Sequence, residues 1–335
     1  MLQRVLKRLT SIPTPVIFGF SLAMALLLLW QQDALSSIRP AIRNADPWII
    51  AAGLLLYLAG LALLCVRWNL LVTMVSGATN HLKASEAFIT SVAVNYAAPL
   101  SLALPSRAYL TKRALGLGTA ETASITFWEV ASDLAVLAVG TMIWIAIGGW
   151  RGQGVSVDDR ILGSGILLVL GGLIAVFIAF KRAARLRSIV FKMRNHFTEA
   201  LKHPGRRPRQ SAMALAVTVL YWIVQGGVLY LLLKAIDGTD PKVSLVLGLT
   251  TLPILVGMLS PVPGGAGVRE ALMIAVASVH GANEANVLLA GVTYRIALFA
   301  AIPILYGIIR ILIALRGGGD QQGSIPEHDG LPADG

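Results

Sequence analysis

Apolar residues gather in runs at about 15–32, 48–66, 86–105, 120–148, 161–180, 211–233, 243–262, 268–280 and 286–314, separated by short stretches where Lys, Arg, Gly, Pro and Asp collect. Several of these runs reach the roughly 20 residues that a helix needs to cross a bilayer. Inside lipid only helices and closed barrels satisfy every backbone donor and acceptor. The pattern therefore predicts an all-α, polytopic integral membrane protein. Two places in it are broken. Asn95, Pro99, Ser101 and Pro105 interrupt 86–105, and Pro261, Pro263, Gly264, Gly265 and Gly267 lie where 243–262 gives way to 268–280. Such a density of proline and glycine cannot continue a helix. Broken backbone at membrane depth has to be buried in protein or line a wet cavity.

Charge sets the orientation, because Lys and Arg collect in cytoplasmic loops. Arg4, Lys7 and Arg8 place the N-terminus inside, and so does the basic stretch 181–209 for its loop. The loop 149–160 is balanced by Asp158 and Asp159 and reads as outside, as does the loop with Asp237 and Asp240. The stretches 67–83 and 107–113 are both basic, so 86–105 enters and leaves on the inner face. By the same parity 243–280 starts and ends outside if Arg310 and Arg316 are to finish inside. The expectation is six full spans plus two re-entrant helical hairpins that dip in from opposite faces, with both termini cytoplasmic.

The order span, hairpin, span then occurs twice with opposite orientation, as units at about 48–148 and 211–314. Pro105 and Pro263 each precede a short amphipathic stretch, a glycine (Gly116, Gly281) and a span carrying charge (Glu129, Arg295). Inverted repeats whose broken helices meet near the midplane are an architecture of alternating-access transporters. Trp30, Trp48, Trp68, Trp144, Trp150 and Trp222 fall mostly near segment ends, as interfacial anchors do. The basic N-terminus followed by an apolar stretch imitates a signal peptide, but the run is long and lacks a good cleavage site, so it reads as an uncleaved first span. The membrane domain is expected to occupy 1–316, and the Gly-, Pro- and Asp-rich tail 317–335 to be disordered.

Composition agrees with this class. Hydrophobic residues make up 56% of the 335 and charged residues 13%, against about 25% charged in soluble domains. The net charge of +11 would suggest nucleic acid in a soluble chain, but here it is the positive-inside bias, and no nucleic-acid partner is expected. The single cysteine, Cys65, allows no intrachain disulfide and no CxxC site, and reads as a small buried hydrophobe. The five histidines are scattered, and neither a Walker sequence nor a serine nucleophile elbow is present. The expectation is a protein that is not an enzyme, holds no metal and needs no cofactor.

Candidate chemistry lies in the intramembrane charges, which are rare and usually functional. Glu129 and Asp133 stand i, i+4 on one helix face within an apolar run. Each costs about 2.5–3.5 kcal/mol at a span's centre, so both should face the protein interior. They read equally as a contact for a cation, proton or polar headgroup and as a structural salt bridge between spans. Arg295, the sole charge in 287–304, is the expected partner, with Tyr294 beside it. Arg269 and Glu270 follow the second break, where Gly264, Gly265 and Gly267 let backbone N–H groups approach an anion at a helix start. These residues read as a lipid-headgroup site, against the plainer alternative that the glycines only permit tight helix packing. Arg107 and Tyr109 follow Pro105 in the same way. Asn95 either caps broken backbone or touches cargo. Arg67 reads as an interfacial, snorkelling arginine.

Asn95-Tyr-Ala-Ala-Pro99 leading to Pro105-Ser-Arg107, then Leu115-Gly116 and a span with Glu129 and Asp133, resembles the first half of the lysylphosphatidylglycerol synthase transmembrane family, also called flippase-like. Pro263-Gly-Gly-Ala-Gly-Val-Arg-Glu270, then Gly281 and Tyr294-Arg295, resembles its second half. The resemblance covers roughly 48–314. In the best-known members this membrane domain moves lipid across the bilayer, and a soluble aminoacyl transferase makes the lipid. Residues 317–335 are too few to hold such a transferase, so the resemblance implies lipid handling in an inner membrane without lipid synthesis. The cargo it implies is a membrane phospholipid or a polyprenyl- or hopanoid-type lipid. Two alternatives stand beside it. One is a membrane-embedded transferase using Asp46, Asp158 and Asp159 at a lipid-donor face. The other is a non-catalytic subunit that recruits a pathway enzyme through 181–209, or a homo-oligomer.

Overall fold

A computed structural model describes residues 46–77, 79–97, 100–148, 203–259 and 267–320. The runs expected at 15–32 and 161–180, most of the basic stretch 181–209, and Gly264 and Gly265 lie outside the described residues. Regular structure among the described residues is helical. In chain order come α1 (Pro47–Ser76), α2 (His81–Ala97), α3 (Leu100–Leu115), α4 (Thr119–Ala146), α5 (Pro208–Asp237), α6 (Val243–Leu259), α7 (Val268–Val279) and α8 (Glu284–Asp320).

Four of these helices, α1, α4, α5 and α8 up to Arg316, are long and apolar enough to cross a membrane. At a rise of 1.5 Å per residue a 30-residue helix such as α1 extends about 45 Å, more than the roughly 30 Å of hydrocarbon. The helices at the two breaks are different. α2 and α6 have 17 residues each, and α7 has 12, about 18 Å. None of the three reaches across alone. α2 packs along α3, and α6 along α7, so the chain turns back on itself at each break. The first hairpin occupies 81–115, wider than the expected 86–105, and α8 runs four residues into the segment expected to be disordered.

Local sequence fixes the helix ends. α1 starts at Asp46, whose carboxylate accepts from the Trp48 backbone N–H at 2.9 Å, with Pro47 as first helical residue. It stops at Gly77, φ +93°, whose N–H donates to the Thr73 carbonyl. α5 also opens on a proline and closes on a left-handed glycine, Gly238. Gly116 and Gly281, matched in the two units by sequence, have φ of +69° and +63°. Each ends a hairpin helix and turns the chain into the next span, in a conformation that side chains other than glycine rarely adopt.

Packing repeats as well. Exchanging α1–α4 for α5–α8 maps every substantial helix contact onto another: α2–α3 onto α6–α7, α3–α4 onto α7–α8, α1–α2 onto α5–α6, α1–α4 onto α5–α8, α4–α6 onto α2–α8, and α1–α8 onto α4–α5. α1 and α5, which share the most extensive contact, map onto each other. Each hairpin is thus clasped by both units, and the centre of the molecule lies along α1 and α5.

Close approach along these contacts depends on small residues. A Cβ on Gly248 in α6 would stand 2.6 Å from Trp144 Nε1 and 3.0 Å from Val276 Cγ1. Trp144 is buried in the α4–α6 contact and has no room to retreat. Gly248→Ala is therefore expected to cost about 1–3 kcal/mol by overpacking, readable as a lower unfolding temperature in detergent. Trp68 and Trp144 are core residues rather than interfacial anchors: α1 runs on past Trp68, and Trp144, near the end of α4, packs against Gly248 of α6 and the His280 ring. Trp48, 82% exposed at the start of α1, keeps the expected terminal position. Cys65 is buried, as expected.

Candidate functional site

Burial forces the charges within the bundle to find each other, since an unpaired charge in a low-dielectric interior costs several kcal/mol. The largest cluster forms where α1, α3, α4 and α5 meet. Arg67, 2% exposed, forks onto both carboxylate oxygens of Asp133, with the Nη2–Oδ2 bond at 3.1 Å. The same Nη2 reaches Glu129 Oε1 at 3.2 Å. Arg107 Nη1 donates to that oxygen too, and its Nε donates to Ser91 Oγ of α2 at 3.0 Å. Trp222 Nε1 donates to Asp133 Oδ1 at 2.9 Å from α5. Aromatic rings cover the cations: Arg67 lies 5.8 Å from the Tyr221 ring centroid and Arg107 4.9 Å from that of Phe88. Two guanidiniums and two carboxylates make the cluster neutral. Asp133 has both oxygens bonded, but Glu129 Oε2 is buried with no hydrogen-bond partner.

A second cluster joins α7, α8 and α5. Glu270 uses one oxygen to accept from the Gly267 backbone N–H at 2.6 Å, capping α7, and the other to pair with Arg295 at 2.5 Å. Arg269 lies 5.7 Å from the Tyr294 ring centroid, and the Tyr294 hydroxyl donates to Gln225 Oε1 at 2.6 Å. Arg269, Gln225 and Tyr294 line a pocket bounded by α5, α6, α7 and α8. Gln225, 1% exposed, has no partner for its Nε2. Tyr294→Phe is expected to cost about 1–3 kcal/mol in stability, because it strands the buried amide oxygen as well; chemical denaturation of the two proteins side by side measures it.

The sequence placed these residues in the right region and mispaired several of them. Arg295 is not the partner of Glu129 and Asp133; it pairs with Glu270, and the acidic pair belongs to Arg67 and Arg107. The reason is the repeat: Glu129 faces the hairpin of its own unit, and Arg295 faces the hairpin of its own. Arg67 is not a snorkelling arginine, because α1 continues past it through Leu70, Leu71, Val72 and Met74 and buries it mid-helix. Trp222 is not an end anchor either, for it lies within α5 and holds Asp133. The positive charge once assigned to loops at Arg67 and Arg107 therefore sits inside the bundle. Asn95 falls in α2 near the first break, and nothing further is described of its side chain. Gly267 caps α7 with φ +80°. Gln225 escaped the sequence reading, and Trp222 was read there only as an interfacial anchor. Gln225 had one available signal, an uncharged polar side chain in the middle of an apolar run, three residues after Trp222 and so on nearly the same helix face.

Set against the two-unit packing, the ion pairs also match in position. Arg107–Glu129 joins α3 to α4, and Glu270–Arg295 joins α7 to α8 with the charges reversed. Their surroundings differ. The side chains of the first pair are 11% and 3% exposed, those of the second 30% and 32%.

Comparison with known proteins agrees with this architecture. The chain is 24% identical to a UPF0104 membrane protein of Methanothermobacter thermautotrophicus, over 88% of this chain and 92% of the relative. It is 27% identical to the inner membrane protein YbhN of Escherichia coli, over 46% of this chain and 43% of that protein. The family model described as the lysylphosphatidylglycerol synthase TM region matches residues 16–307. With nearly the whole helical bundle inside that match, the chain is a member of the lysylphosphatidylglycerol synthase transmembrane family.

Proposed function

We propose that this protein moves a lipid with an anionic or polar headgroup between the leaflets of an inner membrane, as a flippase-like transporter and not as an enzyme. The observation that carries the reading is the charge held at the two hairpins. Each broken helix pair brings an ion pair into a largely apolar bundle, and intramembrane charge is costly and usually functional. The headgroup passes the hairpin charges while the acyl chains stay in lipid. The hairpins enter from opposite leaflets, with both termini cytoplasmic, so the two units act as alternate gates. In this conformation the Arg107–Glu129 side is sealed and the Glu270–Arg295 side is more open, as their exposures differ.

Reconstitution tests the reading. Purified protein in vesicles containing a headgroup-accessible fluorescent phospholipid is expected to let a membrane-impermeant reductant reach label from the inner leaflet faster than in protein-free vesicles. Arg269→Ala is expected to slow that exchange. Equal rates with and without the wild-type protein, across anionic and polar lipids, would remove the transport reading.

A further inference from the structure

The first cluster is neutral only while Arg107 stays on Glu129, since Arg67 alone then faces Glu129 and Asp133. Arg107 is the member that belongs to a hairpin, and it is tied there to Ser91 of α2. Once it leaves, the remainder carries a charge of −1. No other cation at this contact makes up the difference: α5 brings the Tyr221 ring and the Trp222 N–H, α2 the Ser91 hydroxyl, and α6 has no ionisable residue. A surplus charge is expensive in such buried surroundings.

The two acids differ in how they can shed it. Asp133 has both oxygens occupied, for Arg67 forks onto them and Trp222 donates to Oδ1. Glu129 takes both its arginines on Oε1, and Oε2 is buried with no partner. A proton can therefore add at Glu129 Oε2 without displacing a hydrogen bond, whereas on Asp133 it would displace one. Water has a way in on the same side. The Arg107 side chain is 11% exposed, against 3% for Arg67 and for Glu129, so its departure opens the cluster where Arg107 stood. One turn further along α3, on the same helix face, the buried hydroxyl of Thr111 is also without a partner. The second pair has no such need, because Glu270 and Arg295 are about one-third exposed and water can meet a freed charge there.

We infer that Glu129 is a proton site: when Arg107 leaves it, Oε2 takes one proton from water entering on the Arg107 side, and returns it when the pair re-forms. The proton adds to a lone pair of the carboxylate and makes Glu129 neutral, and Arg67 with Asp133 then stands as a balanced pair. Separation of the first ion pair is thus linked to uptake of one proton, and separation of the second is not. Linkage fixes the sign, because a step that binds a proton becomes easier as pH falls. The inference rests on the lipid-transport reading for the event that moves Arg107, but the proton site is read without transport.

Infrared spectra of the purified full-length protein in an ester-free detergent test the site. Arg107→Ala imposes the charge count of the separated pair. At neutral pH it is expected to show the C=O stretch of a protonated carboxylic acid, shifted in heavy water, that is absent from the wild type and from Arg107→Ala combined with Glu129→Gln. Arg107→Gln keeps most of the side chain and should show the same band if the alanine variant does not fold. A variant with a wild-type elution profile and no such band, or a band that survives Glu129→Gln, would overturn the site. A second measurement needs no variant. Lipid exchange by the wild type, in phosphatidylcholine vesicles containing a labelled phosphatidylglycerol, is expected to slow as pH rises, by up to about tenfold per pH unit, the limit for one bound proton. A flat profile in a protein that exchanges lipid would overturn the link between proton and opening. No exchange at any pH would remove the transport reading, and the infrared bands would still decide the proton site.

Discussion

Arg67→Ala is expected to be the most damaging single substitution in the helical bundle, at about 3–5 kcal/mol of stability. The side chain is 2% exposed and contributes both guanidinium nitrogens to Asp133 and one of them to Glu129. Its removal takes a neutral, largely buried cluster to a net charge of −1. Trp222 still donates to Asp133 and Arg107 to Glu129, but neither adds positive charge to what was lost. The cost is a large share of a typical folding free energy of about 5–15 kcal/mol. Arg67→Lys should fall between, since a single ammonium cannot reproduce a fork that holds one carboxylate and touches a second. Arg67→Leu combined with Asp133→Leu should recover much of the loss, because a well-packed apolar pair can replace a buried ion pair at little cost. Unfolding curves in detergent measure all three. If Arg67→Ala unfolds like the wild type, the cluster does not hold the bundle together.

Glu129→Gln should have the opposite profile, a protein that folds and does not transport. Glutamine keeps the shape and one acceptor oxygen for the two arginines, and Asp133 still neutralises Arg67. The charge left over falls on Arg107, whose side chain is 11% exposed against 3% for Arg67. The stability loss should thus stay below that of Arg67→Ala, because the two hydrogen bonds to Glu129 Oε1 are weakened and not removed. Transport asks for more. A gate that closes by bringing Arg107 of the hairpin onto Glu129 of the span needs the full ionic attraction to seal against a passing headgroup. In reconstituted vesicles, lipid exchange by Glu129→Gln should fall to the protein-free rate while the protein elutes and melts as a folded species. Exchange at the wild-type rate would assign the first cluster to structural glue, the alternative that the i, i+4 carboxylates left open from the start. Arg67→Ala and Glu129→Gln together separate the structural duty of the cluster, holding α1 to α4, from the transport duty proposed for the α3–α4 pair.

The matched ion pairs explain why the same fold has two differently exposed sites. Glu270 is tied to the α7 start as well as to Arg295, so the second ion pair is anchored to its own helix cap. Arg107 is tied sideways to Ser91 in α2, within its hairpin. Each ion pair is therefore tied to its own hairpin, and each hairpin is packed between the span of one unit and the span of the other.

Membrane class and an interruption near each expected break followed from the sequence, because both depend on local chemistry: apolar length against bilayer thickness, and proline and glycine against helix continuity; Ser101 and Pro105, expected to break the first hairpin, instead lie within α3. Gly116 and Gly281 marked equivalent turns for the same reason. The pairing of charges did not follow, since a lone arginine in an apolar run looks the same from its own neighbours whether it reaches up to the interface or across to another helix. Arg67 was misplaced on that ground, and Arg295 was given to Glu129 because both were the conspicuous charges of their spans. Tertiary structure alone decided that each hairpin faces the next span of its own unit, which sends Arg107 to Glu129 and Glu270 to Arg295. It alone decided that α5 reaches the first cluster through Trp222 and the second through Gln225. Local sequence limits what a segment can become, but the partner of a buried charge is set by which helices the packing brings within 4 Å of it, and that is a property of the whole bundle.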